Sequence, residues 1–314
     1  PDADPNELAR VRVFLAHRAL ELGRFEEARV ALELGLASLE NLGGLQSAAG
    51  VAALRTHAMV LERSGTLAQS LAAYRRAAEL AGAVLGEGHE LTLVTRSELA
   101  SVLSVAGEVE AAELFARSSH EQALADFGPD SQVTLQTGMR LGLVLLARGK
   151  FVEGLPLQRS ITAGIARVHG ESHRNHVQAL CALTQALLAT RELREAEDQA
   201  LLAVELRELH HPDDVDLEIL TLGALASVLE RAGRYSEARE VLATAVERLE
   251  QAQLLDHPSG VQFLTRLGEA HLAQGARTDA HAAFEQALSH AVGVFEPEHP
   301  WVQRASNGLA RATP

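Results

Sequence analysis

Large side chains are scarce in this chain of 314 residues, where aromatics make up 4%. A conventional globular core would lack its fillers, whereas closely packed helices meeting through Ala and Leu need few. Lysine occurs once, at Lys150, against 27 arginines, which reads as the coding bias of a GC-rich, bacterial gene. The single cysteine, Cys181, excludes an internal disulfide. No apolar run reaches the roughly 18 residues that would span a bilayer. Positive charge is also in deficit. A net charge of −14 argues against a nucleic-acid backbone or an anionic membrane as the main partner. Catalytic signatures are missing too: there is no G-x-S-x-G elbow, no H-E-x-x-H and no G-x-x-x-x-G-K-[ST]. His120-Glu121 lacks the second histidine four residues after the first. Nothing assembles a nucleophile, base and oxyanion donor, so neither an enzyme nor a cofactor is expected. The chain opens Pro1-Asp2 without Met, as an excised segment would, and a cytoplasmic location is expected.

What is abundant is Ala, Leu, Glu and Arg, all strong helix formers. They are arranged in a repeat. Gly23-Arg-Phe25-Glu-Glu-Ala28 is followed by Gly65-Thr-Leu67-Ala-Gln-Ser70, Gly107-Glu-Val109-Glu-Ala-Ala112 and Gly149-Lys-Phe151-Val-Glu-Gly154. Then come Arg191-Glu-Leu193-Arg-Glu-Ala196, Gly233-Arg-Tyr235-Ser-Glu-Ala238 and Gly275-Ala-Arg277-Thr-Asp-Ala280. Every step is 42 residues, with no insertion or deletion. Apolar residues recur with a 3.6-residue period on both sides of each turn, which predicts a pair of amphipathic helices per repeat. The turn glycine fits a helix C-terminus, where a residue without Cβ takes the left-handed conformation cheaply. Seven residues earlier the chain is small, as Ala16, Ala58, Ala100, Gly142, Thr184, Ala226 and Gly268, so the paired helices can approach closely. Between repeats, His89, Ser131, His173, His257 and His299 stand where a helix N-cap belongs, and Pro258 and Pro300 follow at the first helical position. The link His210-His211-Pro212-Asp213-Asp214 departs from this pattern.

The G-x-aromatic-x-E-A turn, the paired helices and the small contact residue resemble tetratricopeptide repeats. The usual length is about 34 residues. The 42-residue step and the G-x-x-H-P link resemble the longer, kinesin-light-chain-like subclass, over residues 5 to 311. The resemblance implies an all-α, right-handed alpha-alpha superhelix, a TPR solenoid of seven helix-turn-helix repeats plus a C-terminal capping helix. The repeats fall at about 5–44, 45–86, 87–128, 129–170, 171–212, 213–254 and 255–296, with the cap at 299–312, in one domain spanning 1–314. Long repeats of this kind also resemble segments of bacterial signalling proteins, including Ser/Thr kinase tails. One family trait is missing. The asparagine pair that often clamps a peptide is replaced by Val13-Phe14, Arg55-Thr56, Ser97-Glu98, Met139-Arg140, Cys181-Ala182, Gly223-Ala224 and Thr265-Arg266. Only Asn307-Gly308-Leu309-Ala310 keeps something like it.

The resemblance implies that the first helix of each pair lines the concave side. Positions thirteen, ten, nine, six, three and two before the turn residue share one helical stripe. It holds Arg10, Arg55, Arg63, Arg140, Arg231 and Arg266 against Glu21, Glu62, Glu98, Glu230 and Glu269, a balance of +1 in a chain of −14. Gln136, Gln178 and Gln262 form one column, and a glutamine offers two donors and two acceptor lone pairs to a peptide backbone. Arg140 and Arg266 form another and could grip carboxylates. The candidate partner-binding residues are therefore Arg55, Glu98, Gln136, Arg140, Gln178, Gln185, Gln262, Arg266 and Glu269. A peptide or partner protein is the expected ligand, with no nucleic acid, membrane or metal. A regulatory module that receives a short signalling peptide, or an element that self-associates through its end repeats, are the alternatives. His169, His173 and His176 are read as capping and surface residues and not as zinc ligands. Pro156 is placed in the first turn of its helix. Repeats 4 and 5, with Gly154, Gly164 and Arg191, are expected to be the least regular.

Overall fold

A computed structural model describes residues 11–16, 18, 19, 25–41, 43–63, 67–292, 294, 295, 297 and 299–313. The start of repeat 1, the turns at Gly23 and Gly65, and Arg10, Glu21 and the side chain of Arg63 lie outside the described residues. The regular structure among the described residues is helical, with no strand among them. They fall into two compact units, Pro1–Val168 and His169–Pro314.

Unit one holds α1 (helical at 11–16 and 18–19), α2 (Phe25–Asn41), α3 (Ala48–Arg63), α4 (Leu67–Leu85), α5 (Glu90–Val105), α6 (Val109–Phe127), α7 (Gln132–Ala147) and α8 (Phe151–His169). Unit two holds α9 (Arg174–Ala189), α10 (Leu193–His210), α11 (Val215–Arg231), α12 (Tyr235–Gln251), α13 (Pro258–Ala273), α14 (Arg277–Ala291) and α15 (Pro300–Ala312). Odd-numbered helices are the first of each pair and even-numbered helices the second. First helices also pack on the next first helix, α5 on α7, α9 on α11 and α13 on α15.

The repeat predicts these boundaries because its turn residue sets the backbone. Gly107, Gly149, Gly233 and Gly275 take φ of 85°, 73°, 74° and 76°. Arg191 is forced to φ 66° in the same turn, a conformation in which its Cβ is strained. Bonds such as Glu108 N–H to Leu103 O (2.9 Å) and Glu192 N–H to Leu187 O (2.9 Å) close each helix. At the other end, His89, His173, His257 and His299 each accept a backbone N–H two residues on through Nδ1. Ser131 caps α7 and Asp214 caps α11 by accepting the N–H three residues on, from Thr134 and Leu217. The irregular link therefore still ends on a cap, displaced by one residue.

Small residues carry the helix contacts. Ala58, Ala100, Thr184 and Ala226 are fully buried. A Cβ on Gly268 would meet the Phe284 ring at 2.7 Å, and one on Gly308 would meet it at 2.3 Å. Phe284, with no exposed surface, thus locks the capping helix α15 to α13. In unit one, Tyr74, Leu99, Leu103, Leu141 and Leu145 form the core. Pro156 corrects an expectation: it lies six residues into α8, so the bond that an N–H would give to residue 152 is lost inside the helix. The unit boundary falls at the end of α8, between the two repeats expected to be irregular.

Candidate functional site

Along the described first helices the stripe is at the surface only in part. Along α5, Val94, Ser101 and Ser104 are half-buried and Val105 is exposed. Three of the residues ten before the turn are covered: Ser97, Cys181 and Thr265 are buried, whereas Arg55, Met139 and Gly223 are half-buried. Cys181, expected to face inward, packs instead with Val177, Leu180, Ala203 and Leu217. Burial pushes its thiol up to about 12, so it is not a nucleophile at neutral pH.

In unit one the charged positions of the stripe bond to one another. Arg55 donates to both carboxylate oxygens of Glu98 at 2.6 Å. Arg140 reaches the same carboxylate, and Ser101 Oγ, at 3.3 Å. A rung therefore runs from α3 through α5 to α7, centred on an acid that is 2% exposed. Nearby, Tyr74 Oη donates to Glu62 at 3.0 Å. Burial raises the Tyr74 phenol well above its ordinary range, and Glu98 and Glu62 push it further. Burial pulls the Arg55 guanidinium down, but Glu98 outweighs this and raises it. Arg140 was expected to offer its guanidinium to a partner's carboxylate; here it grips one belonging to its own chain.

Unit two repeats the device once. Arg266 bonds Glu230 at 2.9 and 3.1 Å and Ser227 Oγ at 3.1 Å. Ser101 and Ser227 both lie 39 residues before their arginine, a register signal that sequence reading missed. Glu269 is held by Arg304 at 2.6 Å, and Arg304 stacks over Trp301 at 4.8 Å. Beyond these pairs unit two stays open. A cavity of about 420 Å³ lies between α11, α13 and α15, with Tyr235 at its edge. Arg231 and Arg311 line it and make no ion pair among the described residues. Tyr235, Arg304 and Arg311 were not singled out from the sequence, although Arg304 is one repeat on from Gln262.

The glutamine column is accessible. Gln136, Gln178 and Gln262 are half-buried and Gln185 is exposed. None of their amides is hydrogen-bonded among the described residues. Leu220 fills the same column in α11 and is 41% exposed.

The histidines do other work. The His169 and His173 rings stack at 4.9 Å. His176 Nδ1 lies 2.8 Å from Glu171 O, and His211 Nε2 lies 2.7 Å from Ser172 O. Among the described residues no group of three or more His, Cys, Asp or Glu is placed to hold a metal ion. Nor is any described helix long and apolar enough to cross a membrane.

Comparison with known proteins agrees with this architecture. Residues 217–291 match the tetratricopeptide repeat family. No curated protein matches the chain. The nearly identical TPR-like repeats of a candidate kinesin light chain from Podosopora anserina are 21% identical, with a TM-score of 0.51 over 63% of this chain and 93% of theirs. The Rap conjugation gene regulator of plasmid pLS20, solved with the Phr* peptide, is 13% identical, with a TM-score of 0.66 over 95% of this chain and 75% of its own. A Rap protein complexed with competence and sporulation factor is 10% identical, with a TM-score of 0.59 over 98% of both chains. The fold and the repeat are those of tetratricopeptide-repeat proteins. The chain's repeats are similar to those of the kinesin-light-chain kind, with the family match lying in unit two and the likeness elsewhere being one of fold.

Proposed function

We propose that this protein is a non-catalytic interaction scaffold that holds a peptide, or a segment of a partner protein, on its concave first-helix face. One observation carries the reading: Gln178, Gln185 and Gln262 are accessible and unbonded on the first helices of unit two. An extended peptide presents backbone donors and acceptors in alternation, and such amides match both. Unit one adds Gln136, beside a wall made of Arg55, Glu98 and Arg140. Arg266 and Glu269 act as a second wall and not as free ligand groups. The unbroken 42-residue register across residues 168 and 169 supports counting both units as one array. The two Rap structures, one with a bound peptide and one with a bound factor, support a short peptide as ligand and a regulatory role. A second reading, self-association, is favoured by repeat 1, where Val11, Phe14 and Leu15 are 51%, 63% and 54% exposed.

The test is selection of binders from a displayed random-peptide library, followed by hydrogen exchange of the complex. Protection concentrated on α9, α11 and α13 is expected. Protection confined to second helices would overturn the reading.

A further inference from the structure

On the side of unit one opposite the first-helix stripe, α4 and α6 part over α5 to leave a slot of about 360 Å³. Its floor is apolar: Ala78, Leu99, Leu103, Ala111 and Phe115. On α5, Leu99 and Leu103 point nearly half a turn away from Glu98 and Ser101, so the slot is distinct from the face described above.

The repeat register shows that this opening is local. At the position of Ala78 the other repeats carry Leu36, His120, Thr162, Val204, Val246 and Leu288, all larger. At the position of Ala111 they carry Glu27, Gln69, Glu153, Glu195, Glu237 and Asp279, all polar. Repeats 2 and 3 thus combine a small residue, Ala78, with an apolar one, Ala111, where the others carry a larger and a polar side chain. Leu114, one turn along α6 from Ala111, is 69% exposed.

The rim fixes the charge of an occupant. Arg75 crosses the mouth to bond both oxygens of Glu108 at 2.7 and 2.6 Å, and Arg96 is drawn aside to Glu87. These cations are neutralised where they stand. Glu79, exposed on α4 and lining the slot, has no ion pair among the described residues. The rim thus presents one uncompensated negative charge, in a chain of −14.

We propose that this slot is a second docking site, which takes one leucine- or phenylalanine-sized side chain of a partner protein flanked by a basic residue. The exposed Arg75–Glu108 pair is worth little in water and yields to an incoming ligand. Partner segments could then engage unit one on two opposite faces at once.

The test uses two peptides, N-acetyl-Lys-Phe-Lys-amide and N-acetyl-Glu-Phe-Glu-amide, titrated into the full chain with methyl NMR of Leu99 and Leu103. The basic peptide should bind about fivefold or more tighter than the acidic one. Ala78→Val, which installs the residue found in two other repeats, should weaken it about tenfold. Glu79→Gln should bring the two peptides within about twofold of each other while keeping the apolar contact. Thermal unfolding checks that each variant is folded, and Glu79→Gln, a surface change, serves if Ala78→Val is not. No saturable shift with either peptide, equal affinity for both, or unchanged binding to Ala78→Val would overturn the proposal. A concentration-dependent rise in mass by light scattering that Ala78→Val abolishes would overturn it too, because the slot would then hold a second copy of this chain.

Discussion

The first-helix faces of the two units are built from the same register and end up differently furnished. In unit one, Glu98 collects Arg55 and Arg140, so three consecutive first helices are tied by one buried acid. In unit two the pairs are separate, Arg266 with Glu230 and Arg304 with Glu269, and a cavity of about 420 Å³ lies among them, lined by two arginines that make no ion pair among the described residues. The difference teaches that charge in a repeat groove can serve the scaffold before it serves a ligand. A guanidinium that looks like a ligand anchor in sequence is satisfied wherever an acid stands one repeat away at the right turn. What remains for a partner is the neutral amides and the few charges the register leaves over.

The sharpest way to break this contrast is to remove the central acid. Glu98→Ala should cost about 3 kcal/mol, because it strands two arginines that depend on it. Glu230→Ala, whose acid is more exposed and serves one arginine, should cost only about 1 kcal/mol. Chemical denaturation of both variants checks the ratio, and equal losses would dissolve the distinction. Next in size is Glu113, where Lys150, Arg117 and Arg148 converge at 2.7, 2.9 and 2.6 Å. Bonding to Lys150 and Arg117, with the Arg148 charge, holds its carboxyl down to about 2. The folded state therefore disfavours its proton. This stability is present above the ordinary 4.5 and is lost as pH falls from there towards 2. Glu113→Ala should remove about 2 kcal/mol at pH 7 and flatten the acid limb of the stability profile.

Smaller effects distinguish the turns and caps. Arg191→Gly should stabilise unit two by about 1 kcal/mol, since it relieves the left-handed strain that glycine avoids at the equivalent turns 107, 149, 233 and 275. The opposite sign in a melting experiment would mean that the arginine side chain repays its backbone cost. The histidine caps accept through a neutral Nδ1, so protonation removes them. Burial lowers His173 and His299 below the ordinary 6.5. Their contribution is complete above about 6.5 and fades as pH falls below it. His299→Ser should remove that part of the slope at a cost of about 0.5 kcal/mol or less at pH 7.

The scaffold was legible in the sequence because a repeat reports the same physics several times. One glycine can stand anywhere, but glycines at 107, 149, 233 and 275 mark a shared left-handed turn. Caps at 89, 131, 173, 257 and 299 follow from the same register. The proposed binding face was legible only as a stripe. Which of its residues stay free depends on contacts between neighbouring repeats. Arg140 and Gln136 lie one turn apart on α7, yet the first is bonded and the second is not. Helical period places side chains on a face, but it does not say which neighbour reaches them. Cys181 shows the other limit: its position lies at the edge of the stripe, and close packing of α9 against α11 covers it. Pro156 was misplaced by a turn because local propensity alone would not put a proline inside α8.

The central claim is that a partner segment is held by the free amides of the first-helix face. The most direct measurement is the affinity of one selected peptide for the parent chain and for Gln178→Ala/Gln262→Ala, by calorimetry, with melting temperature as the control for folding. The account predicts a loss of about tenfold in affinity with the melting temperature unchanged, as expected for two hydrogen bonds that the free protein does not make. Unchanged affinity in the double variant would contradict it.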